Sequence, residues 1–494
     1  MKPLVLVFFL AVAASARATV TLPAIFSDHL VLLSGKPVPV WGAAAANEEV
    51  TVAIGSQKKT TKADASGKWS VKLDALAVSA TPQTLTIGDK TIHDVLVGEV
   101  WLGSGQSNMA MTVQGAKDLE GSRKAANTPE IRMFVESSSA SETAQTQGKG
   151  QWHVCSPETV GRFSATLYFF GRTLHDSLKV PVGLINSSVG GTPIESWIDK
   201  DVQLATPELK TYTEGLVAGQ AGFEPEKAMA LYKKQTVKWA EDVKTARAAG
   251  RDIPRKPKDP VQTRAHKGGV GGLFNGKIAP LIPYAIRGAI WYQGEANSQD
   301  AKVGHYQRQL TLLAADWRKR WGDEFAFGWV QLPNFIRAGE GWPLMREQMM
   351  NALQTIPRSG MATTIDIGEA KDIHPKNKQD VGWRLAQWAL GTVYHKEVEA
   401  ICGPLIDTVT AKGAEMVLTF KHSKGLNARG GLTGFEVAGA DEKWQAAQAK
   451  IEGETVIVSA SSVPEPKKVR YAWKDFPTAT LFNGAGMPAS TFRR

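Results

Sequence analysis

The stretch "VLVGEVWLGSGQSNM", residues 95–109, begins as an apolar run and ends in a cluster of small and polar residues that includes Ser107. The apolar run predicts a buried β-strand, because strands covered on both faces read as nearly continuous Val, Leu and aromatic sequence. In open parallel sheets, ligands bind outside the carboxyl ends of the strands. The stretch therefore predicts the first strand of an α/β domain, with Ser107 at the edge where ligands bind.

The sequence from 95 to about 400 continues this pattern, with strand-like runs that alternate with helical ones. Further strands are predicted at 180–188, 285–293, 325–332 and 361–368. Apolar residues recur at helical spacing in 162–178, 306–321 and 379–395. Strands that alternate with helices are typical of a parallel sheet covered on both faces. The predicted fold class is α/β, a doubly wound and mainly parallel sheet of the flavodoxin-like kind.

Two β-rich regions flank this domain, which we predict to span 95–402. Residues 19–94 contain short β-patterned runs separated by Gly, Asn, Asp and Ser, which predicts an N-terminal β-sandwich domain. From 403 to 494 β-like runs return, and they predict a C-terminal β-rich domain. Charged helical sequence at about 205–270 interrupts the central alternation, and we interpret it as an insertion that forms part of a wall or lid.

The first 18 residues, "MKPLVLVFFLAVAASARA", have the composition of a secretory signal peptide. A basic residue precedes an apolar segment, and small residues at the end suit signal peptidase. A buried first strand or an uncleaved anchor is the alternative interpretation. No later apolar run approaches the roughly 20 residues that cross a bilayer. We therefore expect a protein exported to the periplasm or the extracellular space, with no membrane span.

The charge and cysteine content limit the classes of partner. The formal net charge is +10, but the Lys and Arg residues are scattered rather than clustered, which argues against nucleic acid as a partner. Cys155 and Cys402 are the only cysteines. In an oxidising compartment they could form a disulfide, and two separate buried thiols are the equal alternative.

Polar clusters follow four of the predicted strands. They are "GSGQSNM" after the first strand, "VGGTPIESW" after the second, "QGEAN" after the third and "EAKDIHP" after the last. Because the carboxyl ends of parallel strands meet at one edge of a sheet, the four clusters are expected to converge.

These clusters contain the groups that acyl transfer needs. A serine becomes a good nucleophile when a base takes its proton, so we predict Ser107 as nucleophile and His374 as base. Donors for an oxyanion are the backbone N–H of Ser107, an N–H of Gly190 or Gly191, and the side-chain amide of Gln293. Singly, such features are commonly a helix N-cap, a turn or a polar loop; their joint position at strand ends favours catalysis.

Other chemistries have little support in the sequence. We find no Gly-x-Ser-x-Gly elbow, no phosphate-binding loop and no dinucleotide fingerprint. No two histidines have the spacing of a helical zinc pair. The sequence therefore predicts neither a metal nor an organic cofactor.

The blocks resemble those of a known family. The segments 105–109, 183–197, 288–297 and 372–385 are similar to the blocks of sialate O-acetylesterase-like proteins of the SGNH hydrolase superfamily. "FSDHLVL" at 26–32 and "LFNGAGMPASTF" at 481–492 also resemble that family, so the similarity covers nearly all of the chain after the signal peptide. The resemblance implies a metal-free serine esterase that removes acetyl groups from sugars.

By position, the resemblance assigns the same roles to the nucleophile, the base and the oxyanion donors as the residues themselves do. The acid is less well defined, because many members of the wider superfamily have Asp three residues before the His, and Lys371 stands there. Asp372 is the preferred acid. Glu369 and Asp366 are alternatives, as is a Ser-His pair that works without an acid.

Two further residues are candidates for substrate binding. Glu295 could bind a sugar hydroxyl or orient a neighbouring donor, and structural hydrogen bonding within its loop is an equal alternative. Tyr292 could offer a ring on which a sugar packs, whereas Trp291 is expected in the core.

The functional prediction is a secreted serine carbohydrate esterase of the sialate O-acetylesterase type that forms an acetyl-enzyme on Ser107. Its partner would be an O-acetylated sugar or polysaccharide. Acetylxylan or another polysaccharide ester is the alternative substrate, and a non-catalytic carbohydrate-binding protein is the alternative of another class.

Overall fold

The computed structural model describes residues 19–336 and 339–494. The predicted signal peptide, 1–18, lies outside the described residues. Within those two ranges, no helix is both long enough and apolar enough to cross a membrane.

The N-terminal region consists of short strands that join the central sheet through one long strand. Strands β1 to β7 are, in order, Val31–Leu33, Val38–Ala43, Glu49–Ile54, Gln57–Lys62, Lys68–Leu73, Ser79–Ile87 and Lys90–Gly105. Strand β7 pairs with β6 antiparallel and with β1 parallel, while β3 pairs with β4 and β6, and β2 with β5. The long β7 crosses the position, 94, where we predict the first domain boundary, and its second half is buried.

The second half of β7 lies in the middle of the central sheet. Strands β8 to β13 are Ile131–Glu136, Gly150–Val154, Val182–Ser188, Gly288–Tyr292, Ala326–Val330 and Ser359–Ala362. The order across the sheet is β13-β12-β11-β7-β10-β8-β9. All neighbours are parallel except β8 and β9. The predicted α/β fold with a mainly parallel central sheet is confirmed.

Helices connect these strands. Helices α1 to α11 are Ser107–Ala110, Leu119–Lys124, Ala165–Leu178, Lys200–Ala205, Pro207–Ala221, Pro225–Ala248, Pro260–Lys267, Asp300–Val303, Tyr306–Trp321, Gly341–Asn351 and Lys378–Thr392. Short 3-10 segments lie at Val113–Gly115, Val160–Arg162, Ile194–Ser196, Ala279–Leu281, Glu295–Asn297 and Ala352–Gln354, and Phe274–Ile278 is a π-helical turn. The segment that we interpret as an insertion carries α5, α6 and α7, which are mostly exposed.

The C-terminal region is built from antiparallel strands. Strands β14 to β23 are Leu405–Lys412, Glu415–Lys421, Asn427–Ala428, Phe435–Ala438, Gln445–Ala446, Gln448–Glu452, Thr455–Ser459, Lys468–Tyr471, Leu481–Phe482 and Phe492–Arg493. They form two four-stranded sheets, β14-β15-β20-β19 and β18-β17-β21-β23, and a small pair of β16 with β22.

Two details differ from the sequence-based expectation. Strands β8 and β9 are present in the structure but were not predicted. Arg132 interrupts the apolar pattern of β8, because a charged residue is not expected in a buried strand. It is nevertheless buried, because its guanidinium pairs with Asp94 at 2.8 Å. The last strand, predicted at 361–368, ends at Ala362. The following residues leave the sheet, and the Gly368 N–H donates to Asn334 Oδ1 at 2.8 Å.

The two cysteines do not pair. Cys155 and Cys402 are both free and buried. Burial raises the pKa of each thiol to about 12, so both remain protonated at neutral pH. Of the two alternatives, separate buried thiols is the correct one in this structure.

Arg346 of α10 joins the central α/β region to the C-terminal region. Its fully buried guanidinium donates to the carbonyls of Leu332, Pro333, Lys474 and Asp475. Burial lowers the pKa of Arg346 to about 9. The side chain is therefore the polar centre of the contact between the two regions.

We expect Arg346→Met to reduce the free energy of unfolding by about 2–4 kcal/mol, because buried carbonyls lose their donors. Chemical unfolding would measure this loss. The control is Arg308→Met, since Arg308 forms a half-exposed ion pair with Glu208; a change within about 0.5 kcal/mol is expected there. Equal effects of the two substitutions would contradict the role given to Arg346.

Candidate active site

Ser107 lies at the edge of the sheet, just after Gly105 ends β7. Gly105 has φ +134, and a Cβ there would lie 2.2 Å from the carbonyl oxygen of Tyr292 on β11, so only glycine fits. The next residue, Gln106, donates its N–H to the same oxygen at 3.0 Å. Helix α1 then begins at Ser107, whose side chain is half-buried at the carboxyl edge.

Ser107 and His374 are in hydrogen-bond contact although they lie far apart in the sequence. The Ser107 Oγ is 2.8 Å from His374 Nε2. His374 belongs to the loop between β13 and α11, and 41% of its side chain is exposed. Contact with Nε2 is the geometry through which a neutral imidazole accepts the serine proton.

Asp372 is the carboxylate beside this imidazole. Its Oδ1 accepts the backbone N–H of His374 at 2.9 Å and lies 3.4 Å from His374 Nδ1. A carboxylate on that side favours the tautomer with the proton on Nδ1, which leaves Nε2 free to accept. The Asp372 side chain is 48% exposed, so its electrostatic effect is weakened by solvent.

The other two candidate acids have different partners. Glu369 Oε1 accepts the backbone N–H of Lys376 at 2.8 Å. Asp366 forms a bidentate ion pair with Arg384, with both N–O distances at 2.7 Å. The geometry therefore favours Asp372 among the three candidates.

Gly190, the first residue of the glycine pair that follows β10, lies beside Ser107. A Cβ on Gly190 would be 3.5 Å from the Cβ of Ser107, and Gly191 has φ +70. In the described part of the chain, the backbone N–H groups of Ser107, Gly190 and Gly191 donate to no protein acceptor. These N–H groups are thus available to an oxyanion formed beside Ser107.

Gln293 lies under the site rather than open to it. Its side chain is fully buried, and Nε2 is 3.3 Å from Gln106 Oε1, 3.1 Å from Thr192 O and 2.8 Å from Asn297 Oδ1. Its amide hydrogens therefore point at protein acceptors, and its oxyanion role would require rearrangement. In this conformation Gln293 instead links three of the loops that form the site.

Of the two predicted substrate-binding residues, Tyr292 is buried and Glu295 is half-buried. Tyr292 is 0% exposed, so it offers no ring face on which a sugar could pack. Trp291, which we expect in the core, is buried as well. Glu295 Oε1 accepts the Asn108 side-chain N–H at 2.5 Å, and its Oε2 is inaccessible to solvent.

Comparisons with known proteins show what this chain is similar to. Residues 97–246 match a family model described as carbohydrate esterase, sialic acid-specific acetylesterase. Two relatives named sialate O-acetylesterase, from Rattus norvegicus and Mus musculus, are each 28% identical over 94% of this chain and 93% of their own length.

A solved structure decides the family. The crystal structure of a carbohydrate acetylesterase from Xanthomonas citri is 33% identical, covers 96% of this chain and 99% of its own, and superposes with a TM-score of 0.81. The chain belongs to the sialate O-acetylesterase-like family of carbohydrate esterases. It is therefore an esterase, and the alternative of a non-catalytic binding protein is set aside.

Several side chains of this esterase that the sequence analysis did not assign lie around Ser107. They are Gln106, Asn108, Asn297 and Lys378, and all four are buried. Each lies within a block that carries the family resemblance, so membership of "GQSNM", "QGEAN" or "DIHPKNK" was the available signal. Their contacts join the blocks to one another, which no single block reveals.

The esterase also buries two opposite charges that contact Asn108, the residue after Ser107. Burial lowers the pKa of Lys378 to about 8 and raises that of Glu295 above its ordinary value. The charge of Glu295 raises the pKa of Lys378, and the charge of Lys378 lowers the pKa of Glu295, so each opposes the shift that burial causes. The two charges therefore stabilise one another.

Metal ligands are not grouped in the esterase. Within residues 19–336 and 339–494, no set of three or more His, Cys, Asp or Glu side chains is arranged to hold a metal ion. What the site does contain is the contact between Ser107 Oγ and His374 Nε2, with backbone N–H groups nearby that have no protein acceptor.

Proposed function

We propose that this esterase is a secreted sialate O-acetylesterase-type enzyme that removes O-acetyl groups from sugars through an acetyl-enzyme on Ser107. The observation that carries the proposal is the 2.8 Å contact between Ser107 Oγ and His374 Nε2. The names of its relatives support a sugar acetate as substrate. Export rests on the signal-peptide character of residues 1–18.

The first half of the reaction transfers the acetyl group to the enzyme. Ser107 Oγ attacks the acetyl carbonyl carbon while His374 Nε2 takes the hydroxyl proton. The carbonyl oxygen becomes an oxyanion, and the N–H groups of Ser107 and of Gly190 or Gly191 donate to it. When the intermediate collapses, the bond to the sugar oxygen breaks and His374 returns the proton to that oxygen. The free sugar leaves, and acetyl-Ser107 remains.

The second half releases acetate by the same route in reverse order. His374 takes a proton from water, and the resulting hydroxide oxygen bonds to the acetyl carbon. The same backbone donors hold the oxyanion. The bond to Ser107 Oγ then breaks, and His374 returns the proton to Oγ. Acetic acid leaves and loses its proton to solvent as acetate.

The openness of the site supports a second candidate substrate. Ser107 is half-buried and 41% of the His374 side chain is exposed, so a substituent on a long chain could reach the nucleophile. Acetylated polysaccharide such as acetylxylan is therefore the alternative to O-acetylated sialic acid.

The experiment that tests the proposed function is acetate release by the protein that begins after residue 18. O-acetylated sialic acid, acetylated xylan and a simple aryl acetate are compared by kcat/KM. The highest value on O-acetylated sialic acid supports the sialate assignment, and the highest on xylan supports the alternative. No acetate release from any of the three would contradict the proposed function.

Asp372 provides a separate prediction about the base. We expect Asp372→Asn to lower kcat by about 10- to 100-fold, less than for a buried triad acid because Asp372 is half-exposed. The matched control is Glu369→Gln on the same loop, which keeps an acceptor for Lys376. Steady-state kinetics measure both. A larger loss in the Glu369 variant would show that Asp372 is not the orienting acid.

A further inference from the structure

Asn108 sits at the centre of a buried polar network beside the nucleophile. It follows Ser107 in α1 and is fully buried. Its Nδ2 donates to Glu295 Oε1 at 2.5 Å and to the backbone oxygen of Ile373 at 3.0 Å. Its Oδ1 accepts from Lys378 Nζ at 2.8 Å. The reversed amide would face a cation with N–H groups, so these partners fix the orientation of Asn108.

The same network holds the loop of the base on both sides of His374. Asn108 binds the carbonyl oxygen of Ile373, the residue before His374. Lys378 Nζ donates to the carbonyl oxygen of Pro375, the residue after it. The backbone carbonyls on both sides of His374 are therefore held by hydrogen bonds. One bond comes from Asn108 itself, and the other comes from Lys378, which also donates to Asn108.

Glu295 completes the network as a buried counter-charge. Its Oε2 is inaccessible to solvent and has no hydrogen-bond partner in the described part of the chain, so Glu295 is not placed to bind a sugar. Glu295 and Lys378 meet through the amide of Asn108, which contacts both. Removal of either charge would take away the largest opposite charge that compensates the burial of the other.

We propose that Glu295, Asn108 and Lys378 are positioning residues that clamp the His374 loop against the nucleophile helix. This inference rests on the proposed function, in which His374 Nε2 takes the proton of Ser107 Oγ. The clamp would hold these two atoms within hydrogen-bond distance. The three side chains act through His374 and do not contact substrate. A misplacement of about 1 Å in such a pair can cost about 100-fold in rate.

The clamp predicts a specific kinetic signature. Glu295→Ala removes the acceptor and the charge, and we expect it to lower kcat by about 100-fold. Glu295→Gln keeps an acceptor for Asn108, and we expect a smaller loss of about 10-fold. In both variants KM changes by less than about 2-fold, because no contact with substrate is lost.

Lys378 adds a dependence on pH. The charged and titratable groups that face its ammonium are Glu295, Glu369, Asp372 and the ring of Tyr292. Because the pKa of Lys378 is lowered to about 8, its charge is lost as pH rises through that value, and its charge-assisted hydrogen bonds weaken. The kcat of the wild type should therefore decline above about pH 8, and Lys378→Met, already slow, should lack that decline.

The matched control is Glu99→Gln. Glu99 is also a buried carboxylate with a cationic partner, Arg287 at 2.6 Å, but it lies on β7 at the opposite edge of the sheet from Ser107. Loss of the Glu99 negative charge in this variant should reduce thermal stability without changing kcat. The circular dichroism spectrum and thermal unfolding of each variant are measured beside its kinetics.

The outcomes separate the clamp from the proposed function. A fall in kcat at constant KM in the Glu295 variants, absent from the Glu99 control, supports the clamp. A tenfold rise in KM at unchanged kcat would overturn it and make Glu295 a sugar ligand, and unchanged kinetics in Glu295→Gln would also overturn it. If Glu295→Ala does not fold, Glu295→Gln and the pH profile of the wild type decide. Full activity in Ser107→Ala would instead refute the proposed function itself.

Discussion

Replacement of Ser107 by Ala is expected to lower kcat/KM for any acetyl ester by about 10⁴-fold or more. The variant keeps the backbone N–H of residue 107 and the imidazole, but it has no oxygen to form the acetyl-enzyme. Residual activity should come only from the oxyanion donors and from substrate binding. Acetate release from an aryl acetate measures the loss.

A neighbouring serine gives the matched control for this experiment. Ser104 lies on β7, the strand that leads to Ser107. It is fully buried, and its Oγ has no hydrogen-bond partner in the described ranges. Ser104→Ala should therefore leave kcat/KM close to that of the wild type. If the two variants lose activity equally, the loss reflects strand packing, and Ser107 is not the nucleophile.

Replacement of His374 by Ala is expected to lower kcat by about 10³- to 10⁴-fold. The substitution removes the acceptor that lies 2.8 Å from Ser107 Oγ, so the serine must attack without a base, and the sugar oxygen must leave without an acid. Because His374 serves both halves of the reaction, release of the acetyl group from Ser107 slows as well.

His93→Ala serves as its control. The His93 side chain is exposed in the N-terminal region. Its backbone N–H donates to Asp28 Oδ1 and its backbone carbonyl accepts the N–H of His29, and the substitution leaves both groups in place. Its kinetics should match the wild type. A His374→Ala variant with more than about a tenth of the wild-type kcat would exclude His374 as the base.

The sequence predicts the central fold well, because the hydrophobic pattern of each strand and the alternation of strands with helices can be recognised locally along the chain. The run that ends at Gly105 reads as a strand buried on both faces, and it is the middle strand of the sheet. Strand β8 shows the limit of this reasoning. Its Arg132 looks like a surface residue until Asp94, 38 positions earlier, is known to lie beside it.

The sequence predicts which loops meet at the carboxyl ends of the strands, but not which hydrogen-bond partners the side chains in those loops have. The sequence indicated that Ser107 and His374 meet, because both follow parallel strands. It could not indicate that Gln293 turns its amide towards Thr192 and Asn297, nor that Tyr292 is buried. Such choices depend on hydrogen bonds between loops that are distant in sequence.

The central claim is that the acetyl group passes through Ser107, and peptide mapping after acid quenching tests it most directly. The protein is mixed with an excess of aryl acetate, quenched during turnover and digested, and the acetylated peptide is identified by mass spectrometry. The account predicts one acetyl group on the peptide that contains Ser107, located on that serine and absent from Ser107→Ala. Acetate release by Ser107→Ala at the wild-type rate, or an acetyl group that turns over on another residue, would contradict it.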